Sequence, residues 1–163
     1  MADKLEILPA TAKDVDYLAI HMRRSDKREI DAFSGNRARF ALEAGIASGE
    51  AYTAHYNGVP VLMFGVTSND NIDNSGTPWM LVTNKMDIPP RIILMASKNI
   101  VANMQHIYYY LENYVDARNV AAIKWLKWLG FEFTPAIPIG RRGELFHRFF
   151  WKKDVDKMSM NGG

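Results

Sequence analysis

The sequence contains no cysteine, which excludes a disulfide framework, a thiolate nucleophile and any zinc site built on sulfur. It also fits a reducing compartment. No apolar run is long: the stretch from Val59 to Val66 is far short of the roughly 20 residues that cross a bilayer. Neither sign of charge dominates. Twenty Lys and Arg against 18 Asp and Glu leave a net charge of +2, too little to argue by itself for nucleic acid or a membrane surface. The four histidines, His21, His55, His106 and His147, show neither HExxH nor His-x3-His spacing, which argues against a zinc centre. Walker loops, dinucleotide fingerprints and nucleophile elbows are missing too. The opening Met-Ala-Asp-Lys-Leu-Glu lacks the basic start and apolar core of a signal peptide. These absences predict a cytosolic chain with no membrane partner and no nucleic-acid partner.

What is present is ordinary for a globular protein: 163 residues, 48% apolar and 23% charged. That length suits one domain able to bury roughly two-thirds of its unfolded surface. Leu5 to Leu8 reads as a strand ended by Pro9, and Thr11 with Asp14 reads as a helix start with a carboxylate in its first turn. Ser25 is the expected cap of a second helix ending near Ser34-Gly35, and a third runs from about Arg37 to Ala47. Asn57-Gly58 between apolar runs predicts a hairpin. Ser68 to Gly76 reads as a polar loop, Trp79 to Thr83 as a short strand, and Pro89-Pro90 as the start of a long helix. Tyr108 to Val115 and Leu145 to Trp151 complete a mixed α/β pattern without internal repeats.

The stretch from Asn119 to Phe131 is the most informative. Asn119 is a good N-cap, Ala122, Ile123, Leu126 and Leu129 form an apolar stripe, and Gly130 can take the left-handed exit before Phe131-Glu-Phe133. This Asn-x-x-Ala-Ile…Leu-Gly-Phe arrangement resembles the carboxy-terminal motif of the GNAT superfamily of acyl-CoA-dependent N-acetyltransferases. The resemblance implies a single α/β domain over residues 1–155, a twisted mixed sheet with helices on both faces; the tail at 156–163 carries nothing to pack and reads as flexible. The resemblance also implies acetyl-CoA as cofactor and a small amine or protein as acceptor. The pantetheine arm would lie along the backbone of Leu81, Val82 and Thr83 with Asn119 beside it, and Lys85 and Arg91 would hold phosphates.

Several positions depart from that pattern. Asn84-Lys-Met-Asp-Ile-Pro-Pro-Arg91 contains no glycine, and its two prolines remove two backbone donors. Leu126 stands where the family often places a tyrosine acid, and no carboxylate lies on Trp79 to Thr83. Glu112 and Asp116 are the remaining catalytic candidates, against a simpler reading as exposed charges at a strand edge. Asp26-Lys-Arg-Glu29 reads as a solvent face with local ion pairs. Gly140-Arg-Arg-Gly143 reads as a hairpin loop with solvated arginines, or as a site for phosphate or an acidic partner.

Three strings, Gly58-Val-Pro-Val-Leu-Met-Phe-Gly65, Thr77-Pro-Trp-Met-Leu-Val-Thr83 and Asn113-Tyr-Val-Asp-Ala-Arg-Asn119 with its following helix, resemble the GNAT-like internal virion proteins of short-tailed bacteriophages. That resemblance implies other virion proteins as partners, and a place in the infected cell's cytoplasm or in the particle. Two functional readings follow: a non-catalytic assembly protein on a degenerate acetyltransferase fold, and an acyl-CoA-dependent N-acyltransferase with a rearranged site. A third is an acyl-CoA binder without turnover.

Overall fold

The computed structural model describes residues 4–35, 38–47, 50–69, 71–84 and 88–154. Lys85 and the tail at 156–163 lie outside them. The chain order is β1 (Leu5–Pro9), α1 (Ala12–His21), α2 (Arg24–Ser34), α3 (Ala38–Ala47), β2 (Ala51–Tyr56), β3 (Val59–Ser68), β4 (Ser75–Val82), α4 (Pro90–Ile107), β5 (Tyr110–Asp116), α5 (Val120–Trp128), β6 (Glu132–Phe133), β7 (Ile137–Pro138) and β8 (Leu145–Lys152). One sheet runs β1-β2-β3-β4-β5-β8-β6, with β7 also on β8. Every pairing is antiparallel except β4 with β5.

Local chemistry sets most boundaries. Thr11 accepts from the Asp14 amide while the Asp14 carboxylate accepts from the Thr11 amide, a reciprocal cap on α1. Asn57 and Gly58 turn the β2–β3 hairpin with φ of 51° and 82°. Asn119 caps α5 through the Ala122 amide, and Gly130 leaves that helix at φ 100°. Ser25 is not a cap: α2 starts two residues earlier than that cap would place it, at Arg24 behind Arg23, with no side-chain cap on its first amides. The polar loop is also shorter than its composition suggests. β3 reaches Ser68 and β4 begins at Ser75, where small buried residues fit a crowded corner. A Cβ at Gly76 would lie 2.5 Å from the Val66 side chain.

Helices cover both faces of the sheet, and alternation along β3 shows how. Met63 packs against Val15, Leu18 and Leu42 of α1 and α3. Leu62 and Phe64 point the other way, onto Ala96, Ile100, Val101 and Met104 of α4, in a core that continues to Leu126 of α5. The second core holds most of the buried apolar residues, so the α4–α5 side is the main source of hydrophobic stabilisation.

Candidate functional site

The sheet forks between β4 and β5. Their parallel pairing holds only at Ser75–Tyr110 and Gly76–Leu111. The next gap-facing position on β4 is Pro78, which has no N–H to continue the ladder. Its carbonyl accepts instead from the Asn113 side chain at 2.8 Å. Beyond it the strands separate, leaving a cavity of about 230 Å³ lined by Trp79, Met80 and Leu81 from one strand, Tyr114 and Val115 from the other, and Trp125 and Leu126 of α5.

Opened strands leave peptide groups that need partners. Thr83 N–H donates to Val61 on β3 at 3.0 Å. By alternation, the peptide groups of Met80 and Val82 therefore face the gap. The chain fills much of that gap itself. Met22 forms an antiparallel bridge with Thr83. Arg23 N–H donates to the Val82 carbonyl at 3.0 Å, and Asn84 N–H to the His21 carbonyl at 2.5 Å. The Asp26 carboxylate accepts from Val82 N–H at 3.2 Å. Across the fork, Glu29 Oε1 accepts from Asp116 N–H at 2.5 Å. One helix, α2, thus holds both splayed strands by carboxylates one turn apart. Its far end is tied down too, because Arg141 and Arg142 of the β7–β8 loop pair with Asp31 at 3.2 and 2.5 Å.

The electrostatics follow from this placement. Burial pushes the Asp26 carboxyl up, against the Arg23 guanidinium at 3.1 Å and the Val82 amide, which favour its ionised form. Burial likewise raises Glu29, to about 7; the Asp116 amide opposes the shift, while the charges of Asp26 and Asp116 add to it. Glu29 can therefore take up or release a proton near neutrality inside the cavity.

The residues singled out in the sequence fall into three groups. Leu81, Val82, Asn119 and Leu126 lie at or beside the fork. Asn119 is buried, its Oδ1 accepts from Ala122, and its Nδ2 has no partner within hydrogen-bonding distance among the described residues, although it is near enough to favour the ionised form of Asp26. Thr83 is in the bridge with Met22, and Arg91 opens α4 behind Pro89 and Pro90. Glu112 and Asp116 belong to other clusters. Glu112 accepts from Tyr110 at 2.5 Å and Arg148 at 2.8 Å. Asp116 is buried, which disfavours its charge, yet the contacts of Arg118, the shortest at 2.6 Å, prevail and hold its carboxyl below the ordinary range. It does not stand as an exposed charge at a strand edge.

Asp26 and Glu29 are the residues that pattern reading missed. The Asp26–Glu29 run is no solvent face: Asp26 is only 3% exposed. A signal existed, since Asp26, Ile30 and Phe33 recur at four and three residues and so share one helical face. Arg141 and Arg142 are likewise ion-paired to Asp31 rather than simply solvated.

A forked mixed sheet between two helical layers has close counterparts among solved structures. The chain superposes on a ribosomal-protein-alanine N-acetyltransferase from Brucella melitensis with a TM-score of 0.68 at 14% identity, over 91% of this chain and 99% of that one. This is the GNAT fold. A GNAT-family acetyltransferase from Streptococcus pneumoniae gives a TM-score of 0.63 at 15% identity, over 93% and 100% of the two chains. The spermidine N-acetyltransferase of Vibrio cholerae, in complex with CoA and spermine, gives 0.66 at 8% identity, over 91% and 95%. No family model matches the sequence, and no curated protein does.

Proposed function

We propose that this chain is a non-catalytic protein-binding module built on the acetyltransferase fold, with its coenzyme lane taken over by its own α1–α2 connection. The observation that carries this reading is the bridge of Met22 with Thr83, together with Asp26 on Val82 N–H. An acyl-CoA arm using the β4 backbone would have to displace Met22 and Arg23. In the arrangement described, the residues of the lane do not fit the coenzyme. Two further features agree: α4 opens on Pro89 and Pro90, and Leu126 supplies no proton. The task in virion assembly rests on the three strings that resemble internal virion proteins of short-tailed bacteriophages. It makes other virion proteins the partners and the infected cell or the particle the location.

One observation favours a second reading, an acyl-CoA-dependent N-acyltransferase: Glu29, with its pKa of about 7, borders the cavity and would serve as base toward a small amine or protein acceptor. Arg91, Lys85 and Asn119 would then hold acetyl-CoA. Titration calorimetry with acetyl-CoA and free CoA separates the two. The first reading expects no heat and no thermal shift at millimolar ligand. The second expects micromolar binding that collapses in the Arg91→Ala, Lys85→Ala double variant. Acyl transfer to any of a panel of amines, lost in Glu29→Gln, would sink the first.

A further inference from the structure

The two helical layers differ in charge as well as in packing. In the 18 residues of α4 and the 9 of α5 there is no Asp or Glu, while both helices carry Lys or Arg. On the opposite layer α1, α2 and α3 intersperse carboxylates with their cations, and Arg39 is paired with Asp16 and Glu43. Lys98, Lys124 and Lys127 have no carboxylate partner among the described residues.

Apolar groups stand between these cations. Met95, Val120 and Trp128 are 58%, 57% and 52% exposed, although both helices bury ample apolar surface on their inner sides. The patch is continuous. Lys98 Nζ lies 5.8 Å from the Trp128 ring and so joins α4 to α5. Beneath it Trp125 Nε1 donates to Ser97 at 2.9 Å and fixes the helix spacing. Met95 is one turn from Lys98, and Val120, Lys124 and Trp128 succeed one another at four-residue steps on one face of α5.

We infer that this α4–α5 face docks an acidic segment of a partner protein that also carries apolar side chains. Charge complementarity selects an anionic partner, since lysines without carboxylates steer and orient acidic groups. The exposed indole and thioether select protein over nucleic acid, because a phosphate backbone would leave Trp128, Met95 and Val120 with nothing apolar to cover them. With Leu94, 38% exposed, these side chains are interrupted by Lys98 and Lys124 and do not form the broad apolar face that inserts into a lipid interface.

The probe is a labelled synthetic amphipathic peptide with Glu on one helical face and Leu on the other, followed by fluorescence anisotropy on the full chain. Its Lys-for-Glu counterpart, a 20-base-pair duplex and phosphatidylglycerol vesicles are the comparators. The expected result is binding of the acidic peptide, weakened about tenfold or more by Lys98→Glu with Lys124→Glu, and by moderate salt. Trp128→Ala should weaken it about fivefold or more while leaving the thermal transition in place. The milder Lys124→Gln checks that loss does not come from misfolding. No binding of the acidic peptide, or binding indifferent to these variants, overturns the inference. So does tighter, lysine-dependent binding of the duplex or the vesicles, which would assign the face to that partner instead.

Discussion

The layer formed by α4 and α5 and the α2 helix of the opposite layer hold the same sheet by different means. On the first, Ile100, Val101, Met104 and Leu126 bury apolar side chains against Leu62, Leu111 and Val115. That attachment is non-directional and scales with area. The second, α2, is fixed at points: Asp26 to Val82, Glu29 to Asp116, Asp31 to Arg141 and Arg142. Those contacts depend on geometry and on protonation. Area secures a helix whatever the pH, whereas point contacts close a fork that area alone would leave open.

The sharpest way to break this contrast is to cut each layer in turn. Leu111→Ala, at a side chain with no exposure, should cost about 2–5 kcal/mol in urea unfolding, because a close-packed core cannot collapse into the space. Asp26→Ala should cost less, about 2–3 kcal/mol, by leaving Arg23 and the Val82 amide without their acceptor. It should also increase hydrogen exchange at Val82 while amides of α4 stay protected. Equal loss of protection on both faces would show that the layers are one cooperative unit.

Protonation sharpens the contrast further. The folded chain raises Glu29 to about 7 from its ordinary 4.5, so between those values the native state binds more protons than the unfolded one. The stability this provides is complete below pH 4.5, declines as pH rises, and is gone above about 7. Glu29→Gln, which keeps an acceptor for the Asp116 amide, should flatten that slope and stabilise the protein at pH 8. The gain should be on the order of 1–2 kcal/mol after allowance for partial exposure. An unchanged slope would remove Glu29 as its source. The smallest effect belongs to Asn119→Ala, which should cost about 1 kcal/mol through loss of the α5 cap, read from the shift in urea midpoint.

The layer built on area was the legible one. The spacing of Ile92, Ala96, Ile100 and Met104, the Asn119 cap and the Gly130 exit are local signals, and each marks its element in the structure. The α2 contacts were opaque for a physical reason. A carboxylate on a short helix looks alike whether water or a distant amide satisfies it, and Asp26 meets Val82 across 56 positions of sequence. Glu29 and Asp116 are 87 apart. The start of β4 was hidden differently: Ser75 and Gly76 are poor strand formers, and Gly76 is set by the tight space beside Val66 and Tyr108 rather than by propensity.

Pro78 gives the fork a permanence that no occupant supplies. A strand that lacks a hydrogen at that rung cannot be zipped to its neighbour by temperature, ligand or mutation elsewhere, so the seam is written into the covalent chain. What lies in the seam is free to vary. A loop and two acids can occupy it or be exchanged for other groups while the sheet stays the same, because the strand itself makes the opening.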